Sequence, residues 1–321
     1  MNLQSKIDKY VQSSFVGKEK VIFLDLCHWY RLLDESEYSD LKDFLEHGVK
    51  NNEFICPINY SILCEFRKNQ DKELVLKRID FADRLSKRLS FVHHHRVQKM
   101  EFFHFGLFKK PLMRKDIFTH WLDFYPVPIR VEQNGASDRT YEALLSGMID
   151  ISPVEWSKYD ELWGITDGMT KDLFGPLASQ INGLPNNVKR SEIVYEELQK
   201  IIVDFLDSLS RDMTVSVPDI ERIARNHYLN LGNSKSVNKF FKNIPTIYMR
   251  SQINASLRID KSTVKPNDLW DFEHATSLPY TDIYVTDKPS AHILKNVLKL
   301  NEKYDVEIIS SLEELNQLVR V

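Results

Sequence analysis

Cysteine is scarce in this sequence, with three residues among 321: Cys27, Cys56 and Cys64. The number is odd, and none of the three belongs to a Cys-x-x-Cys pair. Both features argue against a disulfide framework and against a structural zinc site. We therefore expect reduced thiols in the core of a cytoplasmic protein.

Long apolar runs and a large net charge are also absent. No run approaches the roughly 18 apolar residues of a membrane-spanning helix, and the first residues, MNLQSKIDKYVQSSF, contain no apolar signal core. We expect a soluble protein with no membrane partner. The formal net charge is only −3, so binding of nucleic acid would require a local basic patch. The P-loop and GxGxxG motifs of nucleotide-binding proteins are missing too.

Short apolar runs alternate with helical patterns near both ends of the chain. The runs cover residues 21–24 and 54–56 on one side, and 283–286 and 306–309 on the other. Such alternation predicts a parallel sheet with helices on both faces. Between about residues 68 and 261 helical patterns dominate, including one long helix over 71–91, and few strands are evident. Segment 290–304 also has the pattern of a single helix.

The two chain ends together are expected to form one α/β domain. Its parts would be residues 18–90 and 260–321, and residues 91–259 would be a mostly helical insertion. The alternative is two sequential domains, but each end supplies only about two strands, which make a poor sheet. The discontinuous arrangement is therefore preferred.

Acidic residues stand where the predicted strands end. Asp25 follows the first apolar run and Asp287 follows the run 283–286. The carboxyl ends of parallel strands meet at one edge of the sheet, so both carboxylates are expected there. Glu65, on a helix predicted to begin near Pro57, can face the same edge.

A second group of candidates lies just before the third strand. Asp268 and Asp271 are three residues apart near a helix start and share a face, which His274 continues. Asp282 precedes the strand and is expected at its opposite end, away from the other acids.

Several carboxylates aimed at one place repel one another unless a cation joins them. Oxygen ligands of this kind suit Mg²⁺ or Mn²⁺. A divalent ion held in this way polarises a phosphoryl oxygen and lowers the pKa of an attacking water. The residues therefore predict metal-assisted hydrolysis of a phosphodiester.

Each candidate also has a purely structural interpretation. Asp268 could cap the helix, and Asp271 in its first turn could interact with the helix dipole. Asp287 could be a turn residue, and Glu65 a solvated helix residue. His274 could contact substrate, support a ligand or lie in the core, and Lys288 could meet a substrate phosphate or lie on the surface.

Four segments resemble the motifs of PIN-domain nucleases. VIFLDLCHWYRLL resembles their opening strand, which ends in an aspartate, and ICPINYSILCEF resembles their second motif, whose helix carries a glutamate. NDLWDFEHATSLPYTDIYVTDK is similar to their third and fourth motifs, and VEIISSLEEL looks like the family's ending. The chain departs from the family in the adjacency of Thr286 and Asp287, between which the family often has one more residue.

The resemblance implies a three-layer α/β/α sandwich and a ribonuclease that depends on Mg²⁺ or Mn²⁺. Asp25, Glu65, Asp271 and Asp287 would take the acidic positions, and Asp268 competes with Asp271 for the third. RNA would be the substrate, and a bacterial toxin or defence role is implied by analogy. A protein partner or inhibitor and a homodimer remain open. The alternative is a PIN-like module that has lost catalysis and binds RNA or protein through the insertion.

The segment FVHHHRVQKMEFFHF combines histidines, aromatic residues and bases. Neighbouring histidines on a helix point in different directions, so a zinc site is not expected. The aromatic side chains could stack on unpaired bases. We prefer the interpretation that they form the core of the insertion.

Overall fold

The computed structural model describes residues 3–66, 71–121, 153, 167–185, 188–211, 215–231, 240–260 and 263–320. Six strands lie in these ranges: β1 (Lys20–Leu24), β2 (Phe54–Ile55), β3 (Leu89–Phe91), β4 (Phe118–His120), β5 (Ile283–Val285) and β6 (Glu307–Ile309).

Helices make up most of the described chain. They are α1 (Leu3–Ser14), α2 (Leu26–Asp34), α3 (Ser39–Lys50), α4 (Tyr60–Phe66), α5 (Lys72–Ser86), α6 (His94–Phe108), α7 (Asp167–Asn182), α8 (Arg190–Ser210), α9 (Val217–Leu231), α10 (Phe240–Asn243), α11 (Pro245–Ile259), α12 (Pro266–Ala275), α13 (Lys288–His292), α14 (Leu300–Tyr304) and α15 (Leu312–Val319). The protein is thus a mixed α/β structure. Among the described helices, none is long and apolar enough to cross a membrane.

Strands from the two chain ends form one parallel sheet, as the sequence predicts. The order is β2-β1-β5-β6, and Ile22, Phe23 and Leu24 of β1 lie opposite Ile283, Tyr284 and Val285 of β5. β1 leads outward to β2 and β5 leads outward to β6, so the connections run in opposite directions from the central pair. The carboxyl ends of β1 and β5 therefore form a topological switch point, which is where open parallel sheets bind ligands.

The hydrophobic core has two parts. The larger cluster surrounds the parallel sheet, whose central strand β1 is fully buried from Val21 to Leu24. All buried members of the second cluster fall between residues 102 and 255, on α6, α8, α9 and α11 and beside them. Phe102 and Phe105 belong to this cluster, so these two aromatics of the histidine-rich segment serve as core.

Two predicted helices were too long, because the backbone turns left-handed within each of them. The helix expected over 71–91 ends at Ser86, because Lys87 and Arg88 have φ values of 50° and 58°, which a right-handed helix does not admit. β3 follows and pairs antiparallel with β4, in a region where few strands were expected. The helix expected over 290–304 is divided in the same way at Lys299, whose φ is 52°.

Other differences concern the N-terminal helix and a cysteine. α1 lies before the predicted domain start, and Phe15, just after it, packs on Phe118 of β4 with ring centroids 4.7 Å apart. Cys56 is buried, but Cys27 is exposed, so it is not the core thiol that the sequence suggested. Ser311 is the residue that caps α15, and its hydroxyl accepts from the Glu314 amide.

Candidate functional site

The candidate site lies where β1 and β5 end side by side. Asp25 directly follows β1, and its amide donates to the Val285 carbonyl at 2.9 Å. The Thr286 hydroxyl donates to Asp25 Oδ2 at 3.1 Å, and His28 Nε2 lies 3.1 Å from the Thr286 carbonyl oxygen. These contacts hold the Asp25 carboxylate against the end of β5, next to Asp287.

Both strand-end aspartates also begin a helix. Asp25 Oδ1 accepts from the Leu26 amide at 2.7 Å at the start of α2, and Asp287 Oδ1 accepts from the Ser290 amide at 2.9 Å at the start of α13. The positive ends of two helices therefore support negative charge at this edge. Each carboxylate retains further lone pairs, because its two oxygens have about four acceptor directions.

The pKa of Asp271, on α12, depends on the charges of these acids. Crowding by neighbouring protein atoms raises its pKa to about 7, and the charges of Asp25, Asp287 and Glu65 contribute to the rise. The Asp271 side chain is nevertheless exposed to solvent. The repulsion by the three other carboxylates adds to the effect of burial and favours the protonated form of Asp271.

Asp268, one turn earlier, has a different role. Its Oδ2 accepts from the Lys265 amide at 2.8 Å, which secures the start of α12. Asp268 therefore stabilises the helix start from the third position of α12, and it is not the residue that precedes the helix. The structure therefore places Asp25, Glu65 and Asp287 near enough to Asp271 for their charges to raise its pKa, and it directs the Asp268 carboxylate to the helix start.

His274 is the second α12 residue that faces this group. It is 2% exposed, its Nε2 lies 3.7 Å from Glu65 Oε2, and its Nδ1 lies 3.2 Å from Asn59 Nδ2. Burial lowers its pKa, but the interaction with Glu65 and the charges of Asp25 and Asp271 raise the pKa above its ordinary value. Because His274 is enclosed, its geometry suits the support of Glu65 better than contact with a substrate.

Asn59 is a site residue that the sequence did not reveal. Its Oδ1 accepts from the Ile62 amide at 2.9 Å, so α4 begins after Asn59, at Tyr60, instead of near Pro57. Its Nδ2 is then directed at His274. An Asn just before an apolar helix is a capping signal, but the contact with a residue 215 positions away has no signal in the sequence.

Asp282 lies at the other end of the sheet, as expected. It forms a bidentate ion pair with Arg114, at 2.7 and 2.9 Å, and its Oδ2 also accepts from the Val21 amide at 2.7 Å. The acid next to this buried strand is therefore compensated by an arginine and a backbone amide. Lys288 is exposed at the first position of α13, beside Asp287.

The pKa of Cys27, in the first turn of α2, responds to the charges of the site. Although the residue is exposed, crowding of the sulfur by neighbouring protein atoms raises the pKa of the thiol to about 12, and the negative charges of Asp25 and Asp287 contribute to the rise. A thiol in this state is protonated at neutral pH and is a poor nucleophile. Nucleophilic cysteine chemistry is therefore not favoured at this edge.

The donor set suits a hard divalent cation, since it consists of carboxylate oxygens whose mutual repulsion such an ion would relieve. Within the described ranges, however, no group of three or more His, Cys, Asp or Glu side chains is arranged so that it could hold a metal ion as it stands. The residue types fit Mg²⁺ or Mn²⁺, and side-chain adjustment would have to complete the coordination.

Comparisons of the chain with models of protein families, with curated protein sequences and with solved structures found no match. Its function is therefore inferred from the chemistry of its own residues.

Proposed function

We propose that the chain is a metal-dependent ribonuclease with a PIN-like core. In this proposal residues 18–90 and 260–321 form a three-layer α/β/α sandwich around the parallel sheet, and residues 91–259 are a helical insertion. The observation that carries the proposal is the shared effect of Asp25, Asp287 and Glu65 on the pKa of Asp271. Carboxylates from three separate segments thus act on Asp271 of a fourth, beside the switch point of an open sheet, where function is expected.

Asp25, Glu65, Asp271 and Asp287 would hold one or two Mg²⁺ or Mn²⁺ ions. A bound ion would polarise the phosphodiester and lower the pKa of the attacking water. The protein's part is to hold the carboxylates in place. Thr286 and the Leu26 amide orient Asp25, while His274, itself held by Asn59, orients Glu65. Lys288, which is exposed beside Asp287, would meet a substrate phosphate.

A second candidate function is a PIN-like module that has lost catalysis. It is favoured by the lack, among the described residues, of a side-chain group that could hold a metal ion as it stands. The insertion, with its own hydrophobic cluster, would then be the surface that binds RNA or a protein partner. A toxin or defence role remains an analogy with the family.

The direct test is cleavage of labelled single-stranded RNA by the purified chain. We expect cleavage with Mn²⁺ or Mg²⁺ and none when EDTA replaces the metal, because the carboxylates need the cation to act on a phosphodiester. A folded protein that leaves RNA intact at every Mn²⁺ concentration would support the non-catalytic module instead.

The role of His274 leads to a separate prediction. His274→Ala removes the group beside Glu65, and we expect Mn²⁺ affinity to fall roughly tenfold or more, as is usual when a residue that orients a metal ligand is lost. Isothermal titration calorimetry measures this change.

His227→Ala provides the matched control for that experiment. His227 is also fully buried, but it stacks on Phe102 at 4.0 Å in the second hydrophobic cluster. Its loss should lower the melting temperature and leave Mn²⁺ affinity unchanged. Equal Mn²⁺ affinity in the His274 variant and the wild type would rule out the orienting role.

A further inference from the structure

A cleft of about 760 Å³ lies among α7, α8, α11 and α12. Its size is within the range of ligand-binding pockets. Apolar side chains alternate in its wall with basic ones. The apolar group includes Ile181, Ile253, Leu257 and Leu269, and the cations are Lys200, Arg250 and Arg258.

α11 supplies the cationic stripe of this cleft. Arg250, Asn254 and Arg258 follow at four-residue intervals and so lie on one helix face. The Arg250 guanidinium donates to Oε1 of the fully buried Gln98 at 3.1 Å, and Arg258 donates to the Pro185 carbonyl at 3.4 Å. Both cations are half-buried and held by neutral oxygen atoms.

These cations lack the acidic partners that other arginines have. Arg190, at the start of α8, pairs with Asp260 at 2.6 Å. No carboxylate within the described part of the chain pairs with Arg250, Arg258 or Lys200. Glu197, the acid in the cleft, accepts instead from the Asn254 amide at 3.2 Å. The cleft is therefore locally positive in a chain whose net charge is −3.

Half-buried cations without counter-charges are costly, so an anionic ligand would be favoured here. Arg250 and Arg258 are eight residues apart, which is roughly 12 Å along the helix axis. A single phosphate is too small to lie beside both positions, whereas a strand with repeating phosphates can neutralise both. The apolar residues between them could receive the faces of bases.

We propose that this cleft binds a single-stranded nucleic-acid segment. The choice of RNA rests on the proposed nuclease function, for which the segment would flank the scissile bond. Leu269 of α12 and Thr276, just after that helix, border the cleft. Asp271 and His274 lie on the opposite face of α12 from Leu269, since the side chains advance by about 100° per residue. One helix diameter, roughly 10–12 Å, separates the cleft from the acidic site.

The test measures RNA binding to the full chain in EDTA, where no metal-dependent cleavage occurs. We expect Lys200→Gln/Arg258→Gln to weaken binding of a labelled single-stranded oligonucleotide roughly tenfold by fluorescence anisotropy. The slope of log affinity against log salt should become shallower by about 1.4, because each lost phosphate contact removes about 0.7. Glutamine keeps a donor for the Pro185 carbonyl, and a melting curve verifies the fold.

The matched control is Arg211→Gln/Arg222→Gln, which removes two exposed cations outside the cleft. It should change affinity less than twofold. The proposal is overturned if the cleft variant binds RNA with wild-type affinity and salt slope. It is also overturned if adenosine monophosphate displaces the labelled RNA as effectively as an unlabelled oligonucleotide does. The same conclusion follows if polyglutamate, at equal charge, displaces the labelled RNA as effectively as the oligonucleotide.

Cleavage by the wild type, measured separately with Mn²⁺, distinguishes the two proposals. Cleavage together with unchanged binding by the cleft variant removes the cleft proposal alone. Cleft-dependent binding without any cleavage removes the nuclease proposal alone.

Discussion

Asp271→Asn should abolish metal-dependent RNA cleavage, while Asp268→Asn should leave it within about threefold of the wild type. Loss of a carboxylate that holds the metal removes several kcal/mol of transition-state stabilisation. At about 1.4 kcal/mol for each tenfold change, kcat should fall by roughly three orders of magnitude. Single-turnover cleavage of labelled RNA with saturating Mn²⁺ measures both variants.

The two substitutions are matched because both neutralise an aspartate in α12, three residues apart. Asp268 accepts a hydrogen bond from the Lys265 amide, and the side-chain oxygen of asparagine can accept the same bond. Asp271 interacts with Asp25, Asp287 and Glu65. The reverse result, with activity lost only in the Asp268 variant, would give Asp268 the third acidic position. Full activity in both variants would remove α12 from the site.

Asp25→Asn is a companion to this experiment. Asparagine is as good a helix cap as aspartate, so its side-chain oxygen can accept from the Leu26 amide and α2 should be retained. Its NH2 group then takes the place of Oδ2 and can donate to the Thr286 hydroxyl, which accepts instead of donating. We expect kcat to fall by roughly three orders of magnitude, as in the Asp271 variant, with little change in melting temperature. If activity survives, the chemistry lies elsewhere in the chain.

Glu101→Gln should remove a large pH dependence of stability. Glu101 of α6 is fully buried. It accepts from the Thr246 and Ile247 amides at the start of α11 and from the Tyr280 hydroxyl at 2.6 Å, just before β5. One carboxyl group thus connects α6 and α11 to the sheet. Burial raises its pKa to about 7.

The direction of the effect follows from the two pKa values. The unfolded chain releases the Glu101 proton near pH 4.5, and the folded chain retains it up to about pH 7. Between these limits the folded state binds more protons, so the free energy of unfolding falls as pH rises. A difference of this size corresponds to about 3 kcal/mol.

Urea denaturation at pH values from about 4.5 to 8 measures this contribution. The unfolding free energy of the wild type should fall by about 3 kcal/mol relative to the Gln variant across the range. Altered hydrogen bonds in the Gln variant would shift its unfolding free energy by the same amount at every pH, which does not affect this comparison. Titration of Asp271 changes the unfolding free energy of both proteins equally. Glu221→Gln, at an exposed position of α9, should follow the wild type. Parallel curves for the wild type and the Glu101 variant would contradict the prediction.

Much of the sheet could be predicted because its signals are local. Short apolar runs bounded by turns indicate buried strands, and helical patterns between them imply parallel pairing. Asp25 and Asp287 could be assigned to one edge since each follows a strand directly, and parallel strands end on the same side. The breaks after Ser86 and at Lys299 were missed because left-handed backbone at lysine and arginine has no compositional signal.

The sequence by itself determined the parallel α/β sheet and the position of the strand-end aspartates, since both depend on the order of neighbouring residues. Only the tertiary structure decided which partners these acids have. It directed Asp268 to its own helix start and Asp271 toward the other acids, although both lie on one helix. It also joined His274 to Asn59, Asp282 to Arg114 and Arg250 to Gln98, pairs separated by 215, 168 and 152 positions. Contacts at such separations depend on how the helices pack against the sheet and against one another, and no local pattern encodes them.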